Sequence, residues 1–143
     1  MDAQLKQVID DAVSLSVIER TGIANEALGR IIAALKEADN STETISEFII
    51  AITKLFVSAD KSCDQEEYEL FCNATGIPFT ADEFYALTDY GANEEFVSNL
   101  LRVIAPLTPD VRNAICVYGI MLLSSDRKVN SQEVKIMERV LAA

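Results

Sequence analysis

The segment SADKSCDQEEYELF, which spans residues 58–71, brings five acidic residues close together in the sequence. These residues are Asp60, Asp64, Glu66, Glu67 and Glu69, and Lys61 is the only basic residue among them. Carboxylate oxygens are the ligands that hard divalent cations such as Ca2+ prefer in proteins. A concentration of negative charge can also attract a basic protein partner. The segment therefore has the residues to bind a cation or a basic surface.

The same pattern occurs a second time, 66 residues further along the chain and without a gap. The second copy, SSDRKVNSQEVKIM, spans residues 124–137, and each copy follows a strongly apolar segment. The alignment pairs three polar positions: Asp60 with Asp126, Asp64 with Asn130, and Glu67 with Glu133. Because an internal repeat indicates a duplicated structural unit, we predict two helix–loop–helix units at about residues 45–75 and 111–142.

Two of these three pairs have a structural explanation. Asp64 and Glu67 have the spacing of a capping box, in which two side chains satisfy free backbone N–H groups at the start of a helix. Asn130 and Glu133 have the same spacing. A short turn between two helices needs such caps whatever the protein does, so these four residues could be purely structural.

Asp60 and Asp126 need a different explanation. Each follows the predicted end of a helix, where a negative charge opposes the negative end of the helix dipole by about 0.3 to 1 kcal/mol. A hydrogen bond within the turn could offset this unfavourable interaction, and so could a bound cation with carboxylate and carbonyl ligands. Seven steps separate Asp60 from Glu67, so such a site would be tighter than the twelve-residue loop of an EF-hand.

The elements that must position these residues are predicted to be helices. Apolar residues recur at helical spacing along almost the whole chain, and no segment alternates convincingly as a β-strand does. Ile45–Ala59 and Val111–Leu123 are apolar nearly all round, which predicts two central helices surrounded by others. Gly76, Thr80 and Thr108 indicate helix boundaries. We therefore predict an all-α fold, a compact helical bundle of about eight short helices.

Each repeated unit has an apolar helix, a small residue, an Asp, an apolar residue three positions later, a Glu four positions after that, and a second helix. The two units resemble the paired motifs of the TerB-like family, which is named for bacterial tellurite resistance. The resemblance implies a compact all-α bundle, found in bacteria, that acts in stress responses and membrane-linked complexes and binds a divalent metal, usually suggested to be calcium. The metal ligands that it implies are Asp60, Asp64, Glu67, Asp126 and Glu133.

The chain departs from the family pattern directly after each Asp. The family usually has Gly there, whereas this sequence has Lys61 and Arg127. Either residue could fold its cationic end onto the neighbouring carboxylates and stand in for the metal. The alternative function is therefore a metal-free adaptor whose acidic face, residues 60–99, docks a basic protein partner.

We expect residues 1–143 to form a single domain with two parts. Residues 41–143 would form the TerB-like duplicated core. Residues 1–40 contain two amphipathic helical patterns and match no motif of the family. We expect this helical pair to pack on the core or to mediate homodimer formation.

The charge and the cysteines limit the function classes. The formal net charge is −11, and residues 60–99 contain ten acidic residues and one basic residue. Such a face repels phosphate backbones, so we expect no nucleic-acid binding. The longest apolar run, residues 114–123, is too short to cross a bilayer, so we expect no membrane insertion. Three cysteines without close C-x-x-C spacing and a start unlike a secretion signal favour a cytoplasmic protein with reduced thiols.

The sequence does not indicate catalysis. It has no histidine, which is the commonest general base and the commonest transition-metal ligand. It also lacks a nucleophile elbow, a phosphate-binding Gly-rich loop and zinc-ligand spacing. We therefore predict a non-enzymatic protein whose only cofactor would be Ca2+ or another divalent cation.

Overall fold

The computed structural model describes residues 3–59, 63–88, 93–124 and 129–143, and all the regular elements in these ranges are helical. A single turn of 3-10 helix occupies residues 86–88. The eight α-helices are α1 Ala3–Ala12, α2 Val17–Glu37, α3 Thr42–Val57, α4 Gln65–Thr75, α5 Ala81–Tyr85, α6 Glu94–Ile104, α7 Pro109–Leu123 and α8 Ser131–Ala142. The predicted all-α helical bundle is confirmed.

Local sequence explains where these helices begin and end. Thr80 begins α5 as a capping box with Glu83, as the sequence predicts. Thr108 caps α7, and Pro109 occupies its first position, where the missing N–H of proline has no cost. Gly76 ends α4 in the left-handed conformation, with φ 72°, which glycine adopts without steric strain.

The centre of the core lies where α3 and α7 meet, and these are the two helices predicted to be central. Tyr118 is fully buried, and its hydroxyl lies 2.6 Å from the Thr53 Oγ1. Phe56 is also fully buried and packs against Gly119 so closely that a Cβ added there would lie 2.7 Å from the Phe56 ring. The missing side chain at Gly119 therefore allows the close approach of α3 and α7.

The two N-terminal helices pack against the same core. The helix α2 lies along α7 and also contacts α4 and α3, while α1 contacts α7. The buried face of α2 includes Ala24, Ala27, Leu28 and Ile31. Within the ranges that the structure describes, none of the helices combines the length and apolar character needed to cross a bilayer.

Candidate functional site: two matched junctions and an acidic surface

The repeated motif forms two junctions between helices. The first junction (residues 58–67) connects α3 to α4, and the second junction (residues 124–133) connects α7 to α8. Asp60 and Asp126, two of the five predicted metal ligands, lie outside the described residues, as do Lys61 and Arg127. The other three predicted ligands, Asp64, Glu67 and Glu133, are described below.

Both junctions begin in the same way. Ser58 and Ser124 end α3 and α7, with φ/ψ of −89°/−5° and −83°/7°. Each serine is almost fully buried, and its hydroxyl donates a hydrogen bond to the carbonyl four residues earlier, that of Lys54 or Ile120. The preceding helix therefore ends with the same geometry at both junctions.

Both junctions also end in the same way. The Asp64 Oδ1 accepts a hydrogen bond from the Glu67 N–H at 2.9 Å, and the Asn130 Oδ1 accepts one from the Glu133 N–H at the same distance. At the second junction the Glu133 Oε1 also accepts from the Asn130 N–H at 2.9 Å, which completes a capping box. The structure thus confirms Asp64 and Asn130 as N-caps of α4 and α8.

The two glutamates of the repeated motif, Glu67 and Glu133, are buried in the fold. Glu67 exposes 6% of its surface and Glu133 4%, although each lies in the first turn of a helix near the molecular surface. A carboxylate near the N-terminus of a helix is stabilised by the positive end of the helix dipole. This placement gives both glutamates a structural role, whether or not a cation binds beside them.

The first junction fits a divalent cation better than the second. It supplies two carboxylates, those of Asp64 and Glu67, whereas the second has a neutral amide at Asn130. The Asn130 Oδ1 and the Glu133 Oε1 already accept backbone hydrogen bonds in the capping box. Among the residues whose placement is described, no three acidic or cysteine side chains form a group that could hold a metal ion. Metal binding stays a prediction.

The helix α4 and its neighbour α5 carry an acidic surface around two tyrosines. The Tyr85 hydroxyl donates to the Gln65 Oε1 at 3.1 Å, and the rings of Tyr85 and Tyr68 lie 6.4 Å apart. Partial burial raises the pKa of Tyr85 above its ordinary value, and nearby groups that include the carboxylates of Asp64, Glu69 and Asp82 raise it further. We call Tyr68, Tyr85, Asp64, Glu69, Asp82 and Glu83 the acidic surface.

Glu94, another acidic residue of the predicted face, has a partner within the chain. Glu94, at the start of α6, accepts two hydrogen bonds from Arg139 of α8, at 2.7 and 3.1 Å. These bonds lower the pKa of Glu94. On the acidic surface, by contrast, no basic residue of the described ranges forms an ion pair with Glu69, Asp82 or Glu83. The described acidic residues of the segment 60–99 thus differ in whether they have an ion-pair partner.

The sequence interpretation missed Arg20, which contacts both junctions. Arg20 belongs to α2 and exposes only 4% of its surface. Its Nη1 donates to the Ser124 carbonyl at 2.8 Å, and its Nη2 lies 3.8 Å from the Glu66 Oε2. A signal was present in the sequence, because Arg20 lies four and seven residues before the buried Ala24 and Ala27 and so falls on the apolar stripe of α2.

Comparison of the chain with protein families, with curated proteins and with solved structures gave no match. The resemblance to the TerB-like family therefore stays a prediction based on the two repeated motifs.

Proposed function

We propose that the chain is a non-enzymatic, TerB-like helical module that acts by binding, and that its acidic surface docks a basic segment of a protein partner. One observation carries the proposal. Glu69, Asp82 and Glu83 lie on adjoining helices without an ion-pair partner among the described residues, while Glu94 has its own arginine. Carboxylates that form no ion pair with the described residues are the ones that we propose to be available to an external cation.

The chemistry of the acidic surface suits lysine and arginine side chains. Carboxylates attract them over long range and speed association, and an aromatic ring can bind a cation through its face. Tyr68 and Tyr85 are only partly buried, so part of each side chain is accessible. A lysine-rich or arginine-rich segment is therefore the partner chemistry that we propose.

Charge reversal tests the docking surface directly. The variant Glu69→Lys/Asp82→Lys places two positive charges on the acidic surface, whereas Glu43→Lys/Glu47→Lys makes the same net change at the exposed start of α3. Binding of a fluorescent deca-lysine peptide should weaken at least about tenfold in the first variant and much less in the second. Raising the NaCl concentration from 0.05 to 0.5 M should also weaken wild-type binding, because salt screens exposed charges.

Equal losses of affinity in the two variants would mean that the peptide responds to net charge alone, which would refute the acidic surface as a docking site. Binding that is indifferent to salt would refute an electrostatic interaction. The same variants can then be used as bait against a bacterial lysate, in which a specific basic partner should be lost only from the Glu69→Lys/Asp82→Lys sample.

A second candidate function is divalent-cation binding at the first junction. The observation that favours it is the matched construction of the two junctions, each with an oxygen-bearing N-cap and a buried glutamate one turn later. Asp64 and Glu67, with Asp60, would hold the cation, and a bound Ca2+ would supply positive charge that stiffens the turn.

Calcium titration followed by tyrosine fluorescence tests this candidate. The chain has no tryptophan to mask the signal, and Tyr68 is adjacent to Glu67. We expect a saturable change below about 1 mM Ca2+, the range of weak calcium modules, and its loss in Asp60→Asn. The absence of a response at millimolar Ca2+, or the same response in Asp60→Asn, would contradict the candidate.

We further propose that the module acts in the cytoplasm of a bacterium in a stress response of the tellurite-resistance type. The three cysteines of the sequence show no close C-x-x-C spacing, which supports a reducing compartment. Growth of a deletion strain on tellurite, with and without the wild-type gene restored, tests the pathway. Unchanged growth of the deletion strain would contradict it.

A further inference from the structure

Arg20 is a buried cation at the meeting point of the two junctions. It exposes 4% of its surface, and it is the only buried basic residue in the described ranges. The helix that carries it, α2, begins at the capping box of Ser16 and Glu19 and packs along α7. Its guanidinium is therefore held in place by regular structure that is distant in sequence from both junctions.

The two contacts of Arg20 differ in strength. The bond from its Nη1 to the Ser124 carbonyl is 2.8 Å long and buried, and Ser124 is the C-cap of α7. A positive charge at a helix C-terminus is stabilised by the helix dipole, so this contact is the firmer one. The Nη2 of Arg20 lies 3.8 Å from the Glu66 Oε2, and the Glu66 side chain is 51% exposed. Glu66 is therefore the end of the connection that a solvent ion or a partner can reach.

The Arg20 side chain also has an unsatisfied donor. Its Nε is buried without a hydrogen-bond acceptor among the described residues. A buried donor without an acceptor raises the free energy of the buried Arg20 side chain, so that moving this side chain toward water costs less free energy. Among the described residues, Glu66 is the only one whose carboxylate lies within ion-pair distance of the guanidinium, so a change at Glu66 should alter the contact with Ser124.

We infer that Arg20 couples the first junction to the second, so that loss or capture of the Glu66 carboxylate loosens the start of α8. When Glu66 is withdrawn, the buried guanidinium loses an ion-pair partner and shifts toward water, which weakens its bond to Ser124. The first turn of α8 then frays more often. This coupling depends on contacts within the chain and goes beyond the proposed docking function, which can fail without affecting it.

Amide hydrogen exchange of the isolated protein tests the coupling without any ligand. The probes are the Glu133 and Val134 amides, which donate to the Asn130 side chain and carbonyl at the second junction. In Glu66→Gln we expect both amides to exchange about three to ten times faster, the range of couplings carried by single contacts. The Phe96 amide, which donates to Asn93 in an equivalent cap on α6, should not change and serves as the reference for fraying at an unconnected helix start.

Two variants control this experiment. Glu69→Gln removes the same charge one turn further along α4, where no described residue connects it to Arg20, and it should leave the Glu133 and Val134 amides unchanged. Arg20→Lys retains the charge but lacks the forked guanidinium, and the effect of Glu66→Gln should disappear in that background. The inference is overturned if Glu66→Gln does not accelerate the two amides, if Glu69→Gln accelerates them equally, or if the effect persists in Arg20→Lys. Because Glu66 and Glu69 are exposed, this pair decides the question even if Arg20→Lys does not fold.

Discussion

At the first junction the residues that follow the N-cap include Glu66 and Glu69, whereas the second junction has Gln132 and Lys135 at the corresponding positions. The described ends of the two junctions nevertheless have the same construction. Each begins at a buried serine that ends a helix, and each ends at an N-cap that accepts from the N–H of a buried glutamate at 2.9 Å. The junctions therefore differ in charge, at the N-cap, where Asp64 corresponds to Asn130, and on the side chains of Glu66 and Glu69, which the shared hydrogen bonds do not use.

This comparison separates the acidic residues that folding explains from those that it does not explain. Glu67 and Glu133 occur at both junctions, are buried and lie where the turn needs them, so their presence is explained by folding. Glu69 is exposed, occurs at one junction only and has a basic counterpart at the other. Charge that folding does not require is the charge most available for binding, and it is concentrated beside the first junction.

The largest expected effect on stability concerns the contact between the two central helices, α3 and α7, rather than the junctions. In the repeat alignment Gly119 of α7 corresponds to Thr53 of α3, and a methyl group at Gly119 would lie 2.7 Å from the buried Phe56 ring. We expect Gly119→Ala to lower the free energy of unfolding by about 1 to 3 kcal/mol, the cost of overpacking a core. Urea denaturation measures this change.

A matched variant, Gly29→Ala, should change the free energy of unfolding in the opposite direction. Gly29 is exposed on α2, and nothing lies within 4 Å of the Cβ position there. Gly29→Ala should therefore raise the free energy of unfolding by about 0.4 to 1 kcal/mol, because alanine restricts the unfolded chain. Changes of the same sign in the two variants would contradict the close contact of α3 with α7.

The two central helices should also differ in their contribution to the loss of stability at alkaline pH. Burial raises the pKa of the Cys116 thiol to about 12 from an ordinary value near 9, and burial also raises the pKa of Tyr118. The aligned residues of α3 are Ile50 and Ile52, which do not titrate. Below pH 9 the Cys116 thiol is protonated in both the folded and unfolded chains and has no effect on the pH dependence. Above pH 9 the unfolded chain loses the proton first, so stability falls.

For Cys116 alone the loss should be about 1.4 kcal/mol at pH 10 relative to pH 8, because pH 10 lies one unit above the thiol pKa of the unfolded chain and one pH unit corresponds to that free energy for one proton. Urea denaturation at the two pH values measures it. Cys116→Ala should be less sensitive than wild type over this interval by that amount. An identical pH dependence in the variant would show that the thiol does not titrate as its burial requires.

A smaller effect tests whether the junctions are equivalent as turns. Asp64→Ala and Asn130→Ala each remove an N-cap side chain, and each should lower the free energy of unfolding by about 1 kcal/mol. Chemical denaturation of both variants under the same conditions makes the comparison. A loss confined to one of them would contradict the shared construction.

Local parts of this structure could be predicted from the sequence. The caps at Asp64, Thr80, Thr108 and Asn130 depend on residues three positions apart, and the left-handed turn at Gly76 depends on one residue. Hydrogen bonds over such short separations follow from residue types and spacing. The same is true of the two central helices, whose apolar character on every side requires other helices around them.

The contacts that join distant segments could not be predicted in this way. The periodicity of α2 places Arg20 on its buried face but does not say which carbonyl the guanidinium meets, because Ser124 lies 104 residues further on. The ion pair of Glu94 with Arg139, which neutralises part of the predicted acidic face, likewise depends on how α6 and α8 pack. The acidic surface is therefore smaller than the segment 60–99.

The central claim is that binding belongs to the charge beside the first junction and not to the shared backbone of both. Exchanging the aligned residues in Glu69→Lys/Lys135→Glu tests it most directly, because the net charge stays at −11 while the local charge moves from one junction to the other. Affinity for the deca-lysine peptide, measured by titration at low salt, should fall at least about tenfold. An affinity that is unchanged or higher in the exchanged variant would contradict the account.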